Sequence, residues 1–122
     1  MNRTADEQFL HDWVIRKLQE KYSRIYKEVH INPGDEQNYE VKGYYPDAVC
    51  VNYGQIVLIM EVETKDTINE QELGEWREMS QLGVQLVVLV PKELQGVARD
   101  ICWKNGIASK VKIGSFDVVL NV

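Results

Sequence analysis

Apolar residues near the start of the chain recur at helical spacing: Phe9, Leu10, Trp13, Val14, Leu18 and Ile25 fall on one stripe. Thr4 stands where an N-cap belongs and Glu7 follows three residues later to complete a capping box, so the first helix is predicted to begin at Thr4. Asn32-Pro33-Gly34-Asp35 closes that segment as a turn. From Tyr39 the pattern changes to that of strands, and residues 39–42, 48–52 and 56–63 read as three consecutive antiparallel strands, with Asn52-Tyr53-Gly54 turning the last pair. Thr67-Ile68-Asn69-Glu70 reads as a second capping box ahead of the stripe Leu73, Trp76, Met79 and Leu82, which Gly83 stops. Residues 84–90 form a valine-rich run, apolar but for Gln85, of the kind found in strands covered on both faces. Pro91 suits the first turn of a third helix with Leu94, Val97, Ala98, Ile101 and Cys102 inside, ending by Gly106. Residues 111–113 and 116–120, parted by Gly114-Ser115, are short closing strands.

The predicted order α-β-β-β-α-β-α-β-β describes an α/β domain with a mixed sheet. A length of 122 residues suits one domain spanning 1–122. Cys50 and Cys102 have neither metal-ligand nor redox spacing and read as small core residues, which suggests a reducing compartment. The N-terminus lacks the charged and apolar regions of a signal peptide and no apolar run is long enough to span a bilayer, so a cytoplasmic location is expected. A net charge of −5 weighs against nucleic-acid binding by the surface as a whole, although a local basic patch remains compatible with it. Arg16, Lys17, Lys21, Arg24 and Lys27 make one side of the first helix basic, as a solvated helix face does.

The candidate chemistry lies where Ile56-Val57-Leu58-Ile59-Met60 runs into Glu61-Val62-Glu63-Thr64-Lys65. Side chains at i, i+2 and i+4 of an extended chain share a face, so Glu61, Glu63 and Lys65 are expected to project together. Folding the second strand back on the third puts Asp47, of Pro46-Asp47, opposite Met60 or Glu61 according to loop length; a three-residue loop selects Glu61. Asp47, Glu61 and Glu63 would then form an all-oxygen cluster suited to magnesium or manganese. Lys65 lies within reach of the same edge.

These residues and their order resemble the PD-(D/E)XK nuclease superfamily, which includes restriction endonucleases and Holliday-junction resolvases. The resemblance covers roughly residues 4–107 and implies a restriction-endonuclease-like three-layer core with a mixed sheet flanked by helices. It also implies divalent-metal-dependent hydrolysis of DNA phosphodiester bonds. By that resemblance Asp47 is the first motif acid, Glu63 a metal ligand, Lys65 the catalytic lysine, and Glu7 the helix carboxylate that completes the metal site. A second register, Glu61-Val62-Glu63, is similar to the lysine-less variant in which a carboxylate stands in the lysine's place. A homodimer is expected by the same analogy.

Each of these residues has a simpler reading too. Glu7 is explained by the capping box, Pro46-Asp47 by a turn entering a strand, and Lys65 by solvation. His11 and His30 have no partner spacing and receive no role, Gln71 reads as an exposed helix position, and Trp13, Trp76 and Trp103 read as core. The alternative to a nuclease is a nuclease-like domain without catalysis that serves as a binding or regulatory module. No glycine-rich phosphate loop follows any strand to support a nucleotide-binding domain.

Overall fold

Thr4 caps the first helix in the computed structural model, which describes residues 3–119. Its hydroxyl accepts a hydrogen bond from the Glu7 backbone N–H at 3.2 Å, and helix α1 spans Ala5–Tyr22. The buried side of α1 is His11, Val14, Ile15 and Leu18, whereas Phe9 and Ile25 are exposed and Trp13 is partly so. The apolar stripe read from the sequence is therefore rotated: Ile15 lies at its centre, and a polar histidine belongs to it.

The first strand differs from the sequence-based expectation. β1 is Glu28–Ile31, directly after the helix, and residues 39–42 form a loop closed by an isolated bridge between Val41 and Tyr44. Lys42 and Gly43 turn that loop with φ of 48° and 92°. Buried Asn32 holds it in place, accepting from Asn38 N at 2.8 Å and Tyr39 N at 2.9 Å while donating to Tyr39 O and Pro46 O. One side chain thereby satisfies backbone groups that a strand would otherwise have paired.

β2 (Ala48–Asn52) pairs antiparallel with β1 and with β3 (Gln55–Val62). Tyr53 and Gly54, both at positive φ, make a two-residue hairpin turn. Such a turn would by itself set Asp47 opposite Met60. A bulge corrects the count: Val51 faces Ile56 and Cys50 faces Leu58, leaving Val57 as the additional residue. Ala48 consequently pairs with Met60, and the next step along β2 brings Asp47 to Glu61.

A short 3-10 turn over Lys65–Thr67 leads to α2 (Glu70–Ser80), whose cap is Asn69 rather than Thr67. The Asn69 side chain accepts from Gln71 N and Glu72 N. β4 (Gln85–Pro91) then lies parallel to β3, α3 is Gln95–Lys104, and β5 (Val111–Phe116) is parallel to β4. Pro91 ends β4 and does not open α3, which follows a 3-10 turn over Lys92–Leu94. The two closing strands expected around Gly114-Ser115 are a single strand through those residues; Leu120 lies outside the described residues.

The protein is thus an α/β fold with a five-stranded mixed sheet in the order β1-β2-β3-β4-β5 and three helices. On one face Val14, Ile15 and Leu18 of α1 pack over Ala48, Cys50, Met60 and Val62. On the other, Leu73, Trp76 and Met79 of α2 and Ala98 and Cys102 of α3 pack over Val49, Ile59, Leu86 and Val88. Both cysteines are buried and free, and burial pushes the Cys50 thiol up to about 11, which keeps it unreactive. Among the described residues no helix is long and apolar enough to cross a membrane.

Candidate active site

The carboxyl ends of β3 and β4 meet the start of β2, and there acids replace the apolar residues of the sheet. Met60 and Val62 face the α1 side, so their neighbours Glu61 and Glu63 face the α2 side, as alternation along a strand requires. Both acids are nevertheless buried, at 5% and 1% exposure, and Asp47 beside them is at 8%. Asp47 uses Oδ2 to accept the Val62 backbone N–H at 2.7 Å, closing the ladder where β2 has not yet begun. The strand register sets its carboxyl group beside Glu61, whose pKa it raises.

The electrostatics of this cluster are unfavourable to full ionisation. Burial raises Glu61 well above its ordinary 4.5, and the charges of Asp47, Glu75 and Glu63 push in the same direction. Glu63 is raised as well, first by burial and then by Asp47, with Arg3 opposing. One oxygen of Glu63, Oε2, is buried with no protein hydrogen-bond partner. Glu75 on α2 is raised by burial and by Glu72 and Asp47. Asp47, Glu61 and Glu75 open on a polar hollow of about 420 Å³, rimmed by Asp35, Glu36 and Tyr45.

Two residues outside the sequence-based candidates belong to this site. His11, 4% exposed, bridges two acids: Nε2 lies 3.1 Å from Asp47 Oδ2 and Nδ1 lies 2.9 Å from Asp12 Oδ1. Burial alone would lower its pKa, but the hydrogen bond and charge of Asp47, together with Asp12, outweigh that and hold it above 6.5. Asp12 is fixed in turn by Gln8 Nε2 at 2.9 Å and the Gly34 N–H at 3.0 Å. The only signal for His11 in the sequence is its place four residues after Glu7, on the helix that the resemblance brings to the site.

Arg3 is the second. Its guanidinium donates to Val62 O at 3.1 Å and Thr64 Oγ1 at 3.0 Å, approaches Thr67 Oγ1, and lies 3.8 Å from Glu63 Oε1. Its side chain is 4% exposed, and it borders the same hollow as His11 and Asp47. Thr67, expected to cap α2, instead receives the Thr64 N–H at 3.1 Å and turns inward towards Arg3.

Of the five residues singled out in the sequence, Asp47 and Glu61 come together, and Glu63 stands beside them against Arg3. Lys65 does not join them: β3 ends at Val62, and the 3-10 turn carries Lys65 out to the surface. Lys65 and Glu7 line a second, smaller hollow with Leu10, Pro91 and Glu93. Glu7 has one buried oxygen, Oε1, without a protein partner. Among the described residues no three of histidine, cysteine, aspartate and glutamate are arranged as they stand to hold a metal ion. Comparison with protein-family models, with curated proteins and with solved structures finds no match to this chain.

Proposed function

We propose that this protein is a divalent-metal-dependent nuclease of the PD-(D/E)XK type, with a restriction-endonuclease-like three-layer core, that hydrolyses DNA phosphodiester bonds at the end of β3. The observation that carries the reading is the buried carboxyl pair Asp47–Glu61, which opens on a polar hollow and is disfavoured electrostatically as it stands. A pair of this kind fits a magnesium or manganese ion, which needs one or two carboxylates and takes its remaining oxygens from water and phosphate. Asp47 and Glu61 would hold it, and the bound ion supplies charge stabilisation for phosphate and lowers the pKa of a water.

The remaining residues position and balance this pair. His11, clamped by Asp12, fixes the orientation of Asp47 through Oδ2. Glu63 and the Val62 carbonyl anchor Arg3, whose guanidinium is suited to phosphate and would take the part that Lys65 has in the other register. The geometry therefore favours Glu61-Val62-Glu63 as the motif.

A second reading, a nuclease-like module without catalysis, draws on the same cation. Arg3 already neutralises part of the charge beside Glu63, and the rim contributed by Asp35, Glu36 and Glu75 is acidic. A cleavage assay on linear, single-stranded and branched DNA with magnesium or manganese separates the two. Metal-dependent cleavage lost in Asp47→Asn and Glu61→Gln is the result expected of the nuclease. Wild-type protein that folds and cleaves none of these with either metal is a module.

A further inference from the structure

Charge is segregated along the chain. Between Trp13 and Lys27 stand Arg16, Lys17, Lys21, Arg24 and Lys27, with Glu20 as the only acid. The whole chain has 14 basic and 19 acidic residues, so the remainder has twice as many acids as bases. All five of these cations are exposed, along α1 and the turn that follows it.

Aromatic side chains are interleaved with them. Trp13 is 41% exposed and Tyr53, at the β2–β3 turn, is 84% exposed. Lys17 Nζ lies 5.5 Å from the Trp13 ring, Lys21 Nζ 5.4 Å from that of Tyr22, and Lys27 Nζ 5.5 Å from that of Tyr53. Phe9, 74% exposed, is one helical turn before Trp13, where i and i+4 share a face. An apolar stripe of this width on a helix that already buries its opposite side serves no purpose in the core. The one ion pair within the strip, Lys17–Glu20 at 3.3 Å, joins two exposed side chains and contributes little.

We propose that the outer face of α1, extended by Lys27 and Tyr53, is a binding surface for single-stranded nucleic acid, separate from the carboxylate site. Cations meet phosphates, and flat exposed rings give bases a stacking partner, which is the combination that sequence-independent single-strand binding uses. From Phe9 to Tyr22 the helix rises by roughly 20 Å, at about 1.5 Å per residue, with Arg24 just beyond its end, a length that several nucleotides can follow. An acidic protein would meet the charge and leave the rings idle; an anionic membrane would want the rings on an apolar face apart from the cations, whereas Trp13, Tyr22 and Tyr53 lie among them, 5.4–5.5 Å from lysine ammonium groups. The proposal shares with the nuclease reading only the class of ligand.

The test uses the full chain carrying Glu61→Gln, in EDTA, so that cleavage plays no part. Binding of a fluorescein-labelled oligothymidylate is followed by anisotropy as salt is varied. Saturable binding at micromolar protein is expected at low salt, with quenching of Trp13 fluorescence that Trp13→Phe removes. Lys17→Gln, Lys21→Gln and Arg24→Gln together should weaken binding by tenfold or more and reduce the slope of log K against log salt by about 2, since each phosphate contact contributes about 0.7 for a single strand. All three positions are exposed, so the melting temperature should not change. Absence of binding, equal binding by the triple variant, or equal affinity for polyglutamate or for phosphatidylglycerol vesicles would overturn the proposal. Binding with these properties in a protein whose wild type never cleaves would retain the surface and remove the nuclease; cleavage unaffected by the triple variant, with no oligothymidylate binding, would do the reverse.

Discussion

Two hollows flank the first turns of α1, and they divide the residues of one short motif. The larger takes Asp47 and Glu61 with Arg3 and His11; the smaller takes Lys65 with Glu7. Lys65 is only two residues from Glu63 and four from Glu61, a spacing that would align all three in an extended chain. The alignment fails because extension ends first: β3 stops at Val62, and Thr64 and Thr67 exchange hydrogen bonds that bend the chain into a 3-10 turn. Sequence adjacency therefore decides little at a strand's end, where a hydroxyl two residues on can redirect the next side chain.

The strongest way to break the comparison is to remove a carboxylate from each hollow. Asp47→Asn or Glu61→Gln should slow metal-dependent DNA cleavage by roughly a hundred- to a thousandfold, the scale on which loss of one preorganised electrostatic group acts. Lys65→Ala and Glu7→Gln should leave the rate within about twofold, as expected of groups outside the reacting centre. A large loss in Lys65→Ala with a normal Glu61→Gln would reverse the assignment of the two hollows and restore Glu63-Thr64-Lys65 as the motif.

Stability should separate the faces of β3 just as sharply. Met60, at 1% exposure under α1, is supported by packing alone, and Met60→Ala should cost about 2–5 kcal/mol of unfolding free energy in a urea titration. Glu61→Gln, one residue away and as deeply placed, should be neutral or stabilising without metal because it removes a charge that its neighbours oppose. A Glu61→Gln protein as destabilised as Met60→Ala would mean that the carboxyl group belongs to the structural core.

Protonation gives a weaker effect with a definite sign. Folded Glu61 and Glu63 keep their protons above the ordinary 4.5 of a glutamate, so the folded state binds more protons than the unfolded one and stability falls as pH rises from there. His11, raised above 6.5, acts in the same direction: its contribution is complete below 6.5 and is lost as pH climbs through the raised value. Thermal melts should therefore show a decline of several degrees between weakly acidic and weakly alkaline buffer. The double variant Glu61→Gln, Glu63→Gln should flatten the decline and leave the smaller part due to His11 and Glu75. A melting temperature that rises over the same range would contradict the burial of both acids.

Much of this arrangement was legible in the residues. The helix at Thr4, the second hairpin, the α2 stripe and the buried run of β4 follow from capping, period and turn chemistry, and all lie where local rules act without competition. Glu61 is legible because an acid at the end of an apolar run has no packing reason to be there, and Asp47 because folding β2 back on β3 sets it opposite. β1 was missed because four residues after a helix carry too little alternation to announce a strand, while the Asn32 side chain holds residues 38–39 in a loop that reads as one. His11 and Arg3 were missed for a different reason: each acts through partners 36 and 59 or more residues away, and no local pattern encodes such contacts.

The smallest effect tests whether α1 is what ties the large hollow together. The Thr4 hydroxyl caps the helix between Arg3 and Glu7, and Asn69 caps α2 in an equivalent way. Replacing either with alanine should cost about 1 kcal/mol, so the two variants should melt alike. Their effects on the site should differ. A frayed first turn of α1 loosens the segment that carries Arg3 and Gln8, and through them the contacts to Val62 and Asp12. α2 reaches the hollow only through Glu75, beyond its first turn. Thr4→Ala should therefore reduce cleavage, or metal-induced stabilisation where cleavage is not measured, several-fold more than Asn69→Ala does. Equal losses in the two would mean that only global stability is at work and that the first turn of α1 has no separate part in holding the site.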